Sequence, residues 1–344
     1  MATIVPAADP CRKALSRCRA RWCDTRLDNL RTDAMVAVIA LIAYALAYAG
    51  SLVVLGRSPG FEAGESLAVL LIFGVGCSVV AWLATIGVKA ATYRVDRPRT
   101  ESLAILGYLV LFAVLVLGYA FTAVKAAVAD GRPEELAMLA LKLATMVLLP
   151  AWLFTRFGHS WREVFLGDSR GFLKPLFADK RLLRALLLMF AAMFLLQVFI
   201  GRGPATIKAL DAPSWLIAVG VPLAFVAMSL EAGLTEEFLF RVLLQTRLAA
   251  WWRSETAAIL AMSLVFGLAH APGYVLRGAH LMEGMSGPPD ALTAAAYSIV
   301  VVSPIGLLFG VLWARTRSLA LVVLVHGFTD LIPNLAPFVK TWLL

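Results

Sequence analysis

Three short groups of ionisable residues interrupt apolar stretches in the C-terminal third of the chain. The first is Glu236-Glu237-Phe238-Leu239-Phe240-Arg241. On a helix, Glu237 and Arg241 stand four residues apart on one face and can pair. Glu236 is rotated about 100° from its neighbour and cannot use that partner equally well. One carboxylate is then braced and one is left over. An unbraced carboxylate in an apolar site can serve as a general base near neutral pH. The second group is Phe266-Gly267-Leu268-Ala269-His270, and the third is His326-Gly327-Phe328-Thr329-Asp330. His326 and Asp330 share a helical face, roughly 6 Å apart along the axis.

Each group also has a structural reading. Glu237 and Arg241 could be an ordinary pair at a helix end, His270 a lone interfacial histidine, and Asp330 a carboxylate that merely orients a packed His326. Their convergence on three neighbouring helices is the stronger reading, because an ionisable residue in a spanning helix is costly and marks function. Acid, base and hydrogen-bond donors would meet where water is scarce and electrostatics are strong. A zinc-protease signature is missing: there is no His-Glu-x-x-His.

The elements that must hold these groups are membrane-spanning helices. Of the 344 residues, 61% are hydrophobic and 15% charged, well below the ~25% charged usual in soluble domains. Apolar blocks run at 34–55, 67–88, 103–124, 136–155, 185–201, 213–235, 255–275, 291–314 and 319–340. Each is about long enough to cross a ~30 Å hydrocarbon core. Lipid offers no hydrogen-bond partner to an open backbone, so the fold class is an all-α polytopic bundle of about nine spans.

The net charge of +9 does not point to nucleic acid. The basic residues sit in short loops, four at 89–102 and seven at 156–184, with Arg241, Arg247 and Arg253 read as a further basic loop. Rich and poor loops alternate as an N-inside, C-outside arrangement requires, with residue 130 outside and residue 170 inside. Residues 1–33 read as a basic cytoplasmic arm against anionic headgroups. They carry no short apolar stretch with a cleavage site. Residues 34–184 form an N-terminal group of spans ending in an interfacial loop, and 185–344 the core that holds the chemistry. Cys11, Cys18, Cys23 and Cys77 match no zinc spacing and read as reduced thiols. His159 and His280 read as solvated loop residues, Glu231 and Glu283 as interfacial acids, and Lys142 as an isolated mid-span charge.

Simple counting puts Glu236 near the inner face and His270 nearer the outer one. They meet only if the helix from 213 runs long and tilted, or if the helix carrying His270 continues past Gly273. The favoured arrangement is a tilted helix and a cavity open to the cytoplasm.

At these residues the chain resembles the CPBP family, the CAAX proteases and bacteriocin-processing enzymes also called the ABI family. The family pattern is Glu-Glu-x-x-x-Arg, Phe-x-x-x-His and His-x-x-x-Asn or a similar polar residue. It reads here as EEFLFR at 236–241, FGLAH at 266–270 and HGFTD at 326–330. The stretch 306–330 also looks like the family's last helix pair with its short basic turn, and the resemblance covers about 213–332. It implies an intramembrane glutamic endopeptidase in which Glu236 and His270 activate a water. His326 and Asp330 would form the oxyanion site, and Glu237 and Arg241 would be structural support. The departure is Asp330 where asparagine is common, since an ionised aspartate cannot donate to an oxyanion. Two arrangements stay open: an ionised Asp330 that orients His326, or a protonated Asp330 that donates directly.

The expectation is therefore a membrane endopeptidase with a water nucleophile, no cofactor, and a membrane-associated peptide or protein as substrate. Its expected place is a bacterial cytoplasmic membrane. The alternatives are a zinc enzyme of the same fold, with Glu236, His270 and His326 as ligands, or a non-catalytic immunity or scaffold protein. A transporter would need charges spread along a pathway, and Lys142 alone does not supply them.

Overall fold

The computed structural model describes residues 10–58, 60–201, 203–277, 282 and 289–344, without the side chains of 10–32 and 277. The readings of His280 and Glu283, and of the thiols of Cys11, Cys18 and Cys23, lie outside the described side chains.

Among the described residues every regular element is helical. The first helix, α1 (Pro10–Leu55), is followed by α2 (Ala63–Ala84), α3 (Pro98–Ala127) and α4 (Arg132–Thr155). Two short helices, α5 (Trp161–Leu166) and α6 (Lys174–Ala178), lead into α7 (Lys180–Phe199) and the short α8 (Gly203–Lys208). The C-terminal set is α9 (Ser214–Trp252), α10 (Glu255–Arg277), α11 (Ala291–Val301), α12 (Ser303–Thr316) and α13 (Leu319–Trp342). Eight helices are long and apolar enough to cross a membrane, and α11 with α12 makes a ninth candidate bent by 45°. The chain is thus an integral membrane, all-α polytopic bundle, and its outer helices carry the exposed leucines, valines and aromatics that a lipid environment accepts.

The expected single span at 291–314 is the bent pair. Pro304 enters the first turn of α12 without an N–H to donate. The Tyr44 hydroxyl of α1 bonds the Ser303 hydroxyl at the break, 2.8 Å away. Gly267 of α10 backs onto the same break: a Cβ there would lie 3.0 Å from the Ser298 carbonyl oxygen. That close approach sets the level of His270, three residues on.

The most consequential departure concerns α9. It does not end near 235 but runs 39 residues, and α10 continues past Gly273 to Arg277. The length of α9 and the extension of α10 past Gly273 together allow Glu236 and His270 to meet. Residues 237–249 are buried on every side, so this half of α9 is a core helix. Arg241 and Arg247 are therefore interior, not part of a basic loop, and the loop count that used them overstates the charge there. α13 is the central span: 61% of its apolar window is buried, against 17–33% for the others.

A second interior group was not legible in the sequence. Glu101, at the start of α3, accepts the backbone N–H groups of Asp96 and Arg97 at 3.1 and 2.8 Å. Its other oxygen meets Arg247 Nε at 3.2 Å and His159 Nε2 at 3.4 Å. Arg247 also lies over the Phe154 ring, 4.4 Å from its centre. His159 is thus buried against Glu101 and not solvated. The basic sequence around it masked the pairing, because the partners come from α3 and α9.

Two more readings change. Lys142 is not isolated and Glu231 is not a lone interfacial acid: Lys142 Nζ meets Glu231 Oε1 at 2.9 Å, tying α4 to α9. The interfacial loop keeps its exposed Trp161, Phe172, Leu173 and Phe177. Phe165, however, turns inward and stacks on Phe238, ring centres 4.4 Å apart, beside Glu237.

Candidate active site

Glu236 and Glu237 stand in a single α-turn, Thr235–Glu237, between two π-helical stretches at Ser229–Leu234 and Phe238–Gln245. A π-turn adds a residue per turn and rotates the side chains beyond it, a device common at functional sites. Here it turns Glu237 into the core, wholly buried, and leaves Glu236 at a cavity wall with its side chain 16% exposed.

The approach of α13 to α9 is made by glycines. A Cβ on Gly327 would fall 2.7 Å from Ser229 Cα and 2.8 Å from its nitrogen. A Cβ on Gly233 would strike the Val323 carbonyl. Gly327→Ala is expected to cost about 1–3 kcal/mol, the overpacking range, and to shift the adjacent His326. Gly50→Ala, with open space around the added methyl, should leave the unfolding temperature within error. Equal thermal unfolding of the two variants in detergent would contradict this account of the helix contact.

The close approach seats His326 on Glu237. His326 Nδ1 lies 2.8 Å from Glu237 Oε1, and a carboxylate there makes Nδ1 the donor. The ring is stacked on Phe309, centres 4.6 Å apart. Its Nε2 then faces Asp330 Oδ2 at 3.5 Å and Glu236 Oε2 at 3.9 Å. Glu237 Oε2 meets Arg241 Nε at 3.3 Å, an ion-pair distance without hydrogen-bond alignment. The buried guanidinium also lies 4.4 Å from the centre of the Phe266 ring. The expected Glu237–Arg241 pair is present. Glu237 also orients His326, a contact the reading from spacing did not contain.

His270 is held differently. Its Nδ1 lies 2.8 Å from the Phe266 carbonyl oxygen. A carbonyl only accepts, so Nδ1 carries a proton, and in the neutral ring Nε2 is then an acceptor. That Nε2 is 3.8 Å from Glu236 Oε2. Glu236, His270, His326 and Asp330 are thus brought together, with Glu236 between the two imidazoles. Among the described residues no set of three or more such donors is grouped tightly enough to hold a metal.

Glu236 and His270 line a cavity of about 570 Å³ whose other walls include Phe112, Phe121, Met138, Met146 and Phe240. It reaches the surface beside Lys125, Gly131 and Glu134. This is the end of the bundle that carries the 128–131 turn and the end of α13, opposite Arg317. A cavity open to the cytoplasm and a residue 130 outside therefore cannot both hold.

Fold and site together define an integral membrane protein with a carboxylate–imidazole cluster enclosed between helices. Residues 218–332 match the family Rce1-like, described as type II CAAX prenyl endopeptidase Rce1-like. The matched stretch contains Glu236, Glu237, Arg241, His270, His326 and Asp330, and it agrees with the resemblance read from the three motifs. No curated protein and no solved structure matches the chain.

Proposed function

We propose that this chain is a membrane-embedded endopeptidase that hydrolyses a peptide bond of a membrane-associated peptide or protein with a water activated by Glu236 and His270. The match to a CAAX prenyl endopeptidase family supports a protease of that general type. The observation that carries the mechanism is the 3.8 Å gap between Glu236 Oε2 and His270 Nε2. With Glu236 as carboxylate and His270 as neutral imidazole, two acceptors face each other there. A water placed about 2.8 Å from both can donate one hydrogen to each, which aims its lone pairs into the cavity.

In the reaction the water oxygen bonds to the scissile carbonyl carbon as Glu236 takes a proton. Negative charge collects on the former carbonyl oxygen. His326 meets it through Nε2–H of the doubly protonated ring, with Glu237 offsetting the charge from the Nδ1 side. Collapse breaks the C–N bond, and the proton on Glu236 passes to the leaving amine. The apolar cavity walls suit a lipid-modified or hydrophobic segment. No covalent enzyme intermediate and no cofactor is required, and the bacterial cytoplasmic membrane remains the proposed location.

For Asp330 we favour the protonated arrangement, in which its O–H donates to the oxyanion beside His326. Asp330→Asn should then keep turnover and extend it to higher pH, because an amide has no proton to lose there. Asp330→Ala should lose roughly 10²–10³ in turnover, the usual cost of one oxyanion donor. Cleavage rates against pH for the three proteins in liposomes decide it. An inactive asparagine variant beside an active alanine variant contradicts a donor role, and equal inactivity of both assigns Asp330 to orienting His326.

A further inference from the structure

The spanning helices alternate in direction, so their connections fall at two ends of the bundle. One end holds the connections after α2, α4, α9 and α12. Contacts join them into one face. The Ala91 N–H donates to the Thr316 carbonyl at 3.2 Å, and the Thr92 N–H donates to Asp168 at 2.9 Å. Arg94 meets Glu163 at 3.8 Å, and Arg317 pairs with Glu255. The segments 85–97, 156–179, 253–254 and 317–318 at this end carry nine Lys and Arg residues. The segments 56–62, 128–131, 200–213, 278–290 and 343–344, which connect or end the helices at the other end, carry three. Basic connections stay on the cytoplasmic side of a membrane. The first end is then inside and the 128–131 turn outside.

The cavity that holds Glu236 and His270 leads to the end poor in basic residues. Lys125, Gly131, Glu134 and Thr341 stand at its rim. Arg132 Nε donates to the Thr341 carbonyl at 2.8 Å, and the Trp342 indole N–H meets Glu135, so α4 and α13 are tied across that rim. Toward the basic end the same site is closed by packing. Residues 237–249 of α9 are buried on every side. Phe165 stacks on Phe238, and the wholly buried Trp313 donates from Nε1 to the Thr246 hydroxyl at 3.0 Å. A peptide could reach Glu236 from there only by unpacking a close-packed core.

We propose that Glu236 and His270 work from the extracytoplasmic side of the membrane, on an apolar segment of an exported or membrane-inserted peptide that enters beside the 128–131 turn. The inference rests on the peptidase reading above and adds which face supplies the substrate. A tail made and kept in the cytoplasm would arrive at the closed end. The water consumed enters from the outer face as well. Of the two expectations that conflict, the outer position of residue 130 is kept and the cytoplasmic opening is given up.

Accessibility and turnover are measured separately. Single cysteines are placed by Asp130→Cys at the rim, Met138→Cys in the cavity wall and Arg170→Cys at the basic end, in a chain whose Cys11, Cys18, Cys23 and Cys77 are replaced by alanine. Each is treated with a membrane-impermeant maleimide in intact bacterial cells and after permeabilisation. Asp130→Cys and Met138→Cys should label as fully in intact cells as in permeabilised ones, and Arg170→Cys only after permeabilisation. Turnover needs no substitution in the working protein. A quenched library of apolar peptides with a charged, impermeant tag is added to right-side-out and to inverted membrane vesicles, with Glu236→Gln vesicles as the blank. Cleavage should appear with right-side-out vesicles and be lost with inverted ones. Labelling of Met138→Cys only after permeabilisation overturns the proposal, as does cleavage confined to inverted vesicles or equal in both. Labelling as expected with cleavage by neither preparation would sink the peptidase reading and leave the outward opening standing.

Discussion

Glu236→Gln is expected to lower cleavage by about 10³-fold while leaving the protein folded in the membrane. The glutamine keeps the size and one acceptor but cannot take a proton from water, and general-base catalysis contributes about 10²–10⁴. Folding should be spared because Glu236 faces the cavity and stands 3.8 and 3.9 Å from its two histidine neighbours, beyond hydrogen-bond reach. His270→Ala removes the second acceptor for the same water and should fall in the same range. The two losses should not add, since both remove one activated water. Turnover of purified proteins, matched by their unfolding temperatures, checks this. Full activity of Glu236→Gln would assign the general base elsewhere.

The largest stability effect is expected at Glu237. Removing one member of a buried ion pair strands the other, a loss of about 3–5 kcal/mol. Glu237→Leu would leave Arg241 in the core beside Phe266 with no carboxylate. Replacing both charges with apolar side chains is often close to neutral, so Glu237→Leu/Arg241→Met should regain most of the stability. It should not regain turnover, because His326 Nδ1 has lost the acceptor that fixes its ring. Thermal unfolding and cleavage on the two single variants and the double variant separate these roles. A double variant that is both stable and fully active would show that Glu237 serves the fold alone.

How much was legible in the sequence depends on the range of each interaction. Pairs at i and i+4, such as Glu237–Arg241 and His326–Asp330, are set by helix geometry and could be read directly. The spans could be read from apolar length, because lipid forces every backbone group into a helix. Contacts between helices could not. The Glu237–His326 bond depends on a close approach at Gly327 and Gly233 that spacing does not encode. The Glu101–Arg247–His159 group joins residues up to 146 positions apart. Arg247 was misplaced because a buried arginine and a loop arginine look alike until the end of α9 is known. The bend at Ser303 was missed because an apolar run reads as one span whether or not Pro304 breaks it. Lys142 looked isolated because its partner sits on another helix.

Direct attack of water on the peptide carbonyl leaves an isotopic mark in the product. The most direct measurement is a single turnover of a membrane-associated peptide by the purified protein in nanodiscs, run in ¹⁸O-labelled water with hydroxylamine and a zinc chelator present. The expected result is a new C-terminal carboxylate carrying one ¹⁸O, no hydroxamate product, and a rate untouched by the chelator. A hydroxamate would reveal an acyl-enzyme, and inhibition that added zinc reverses would make the site a metal centre. Either result would contradict a water activated by Glu236 and His270 alone.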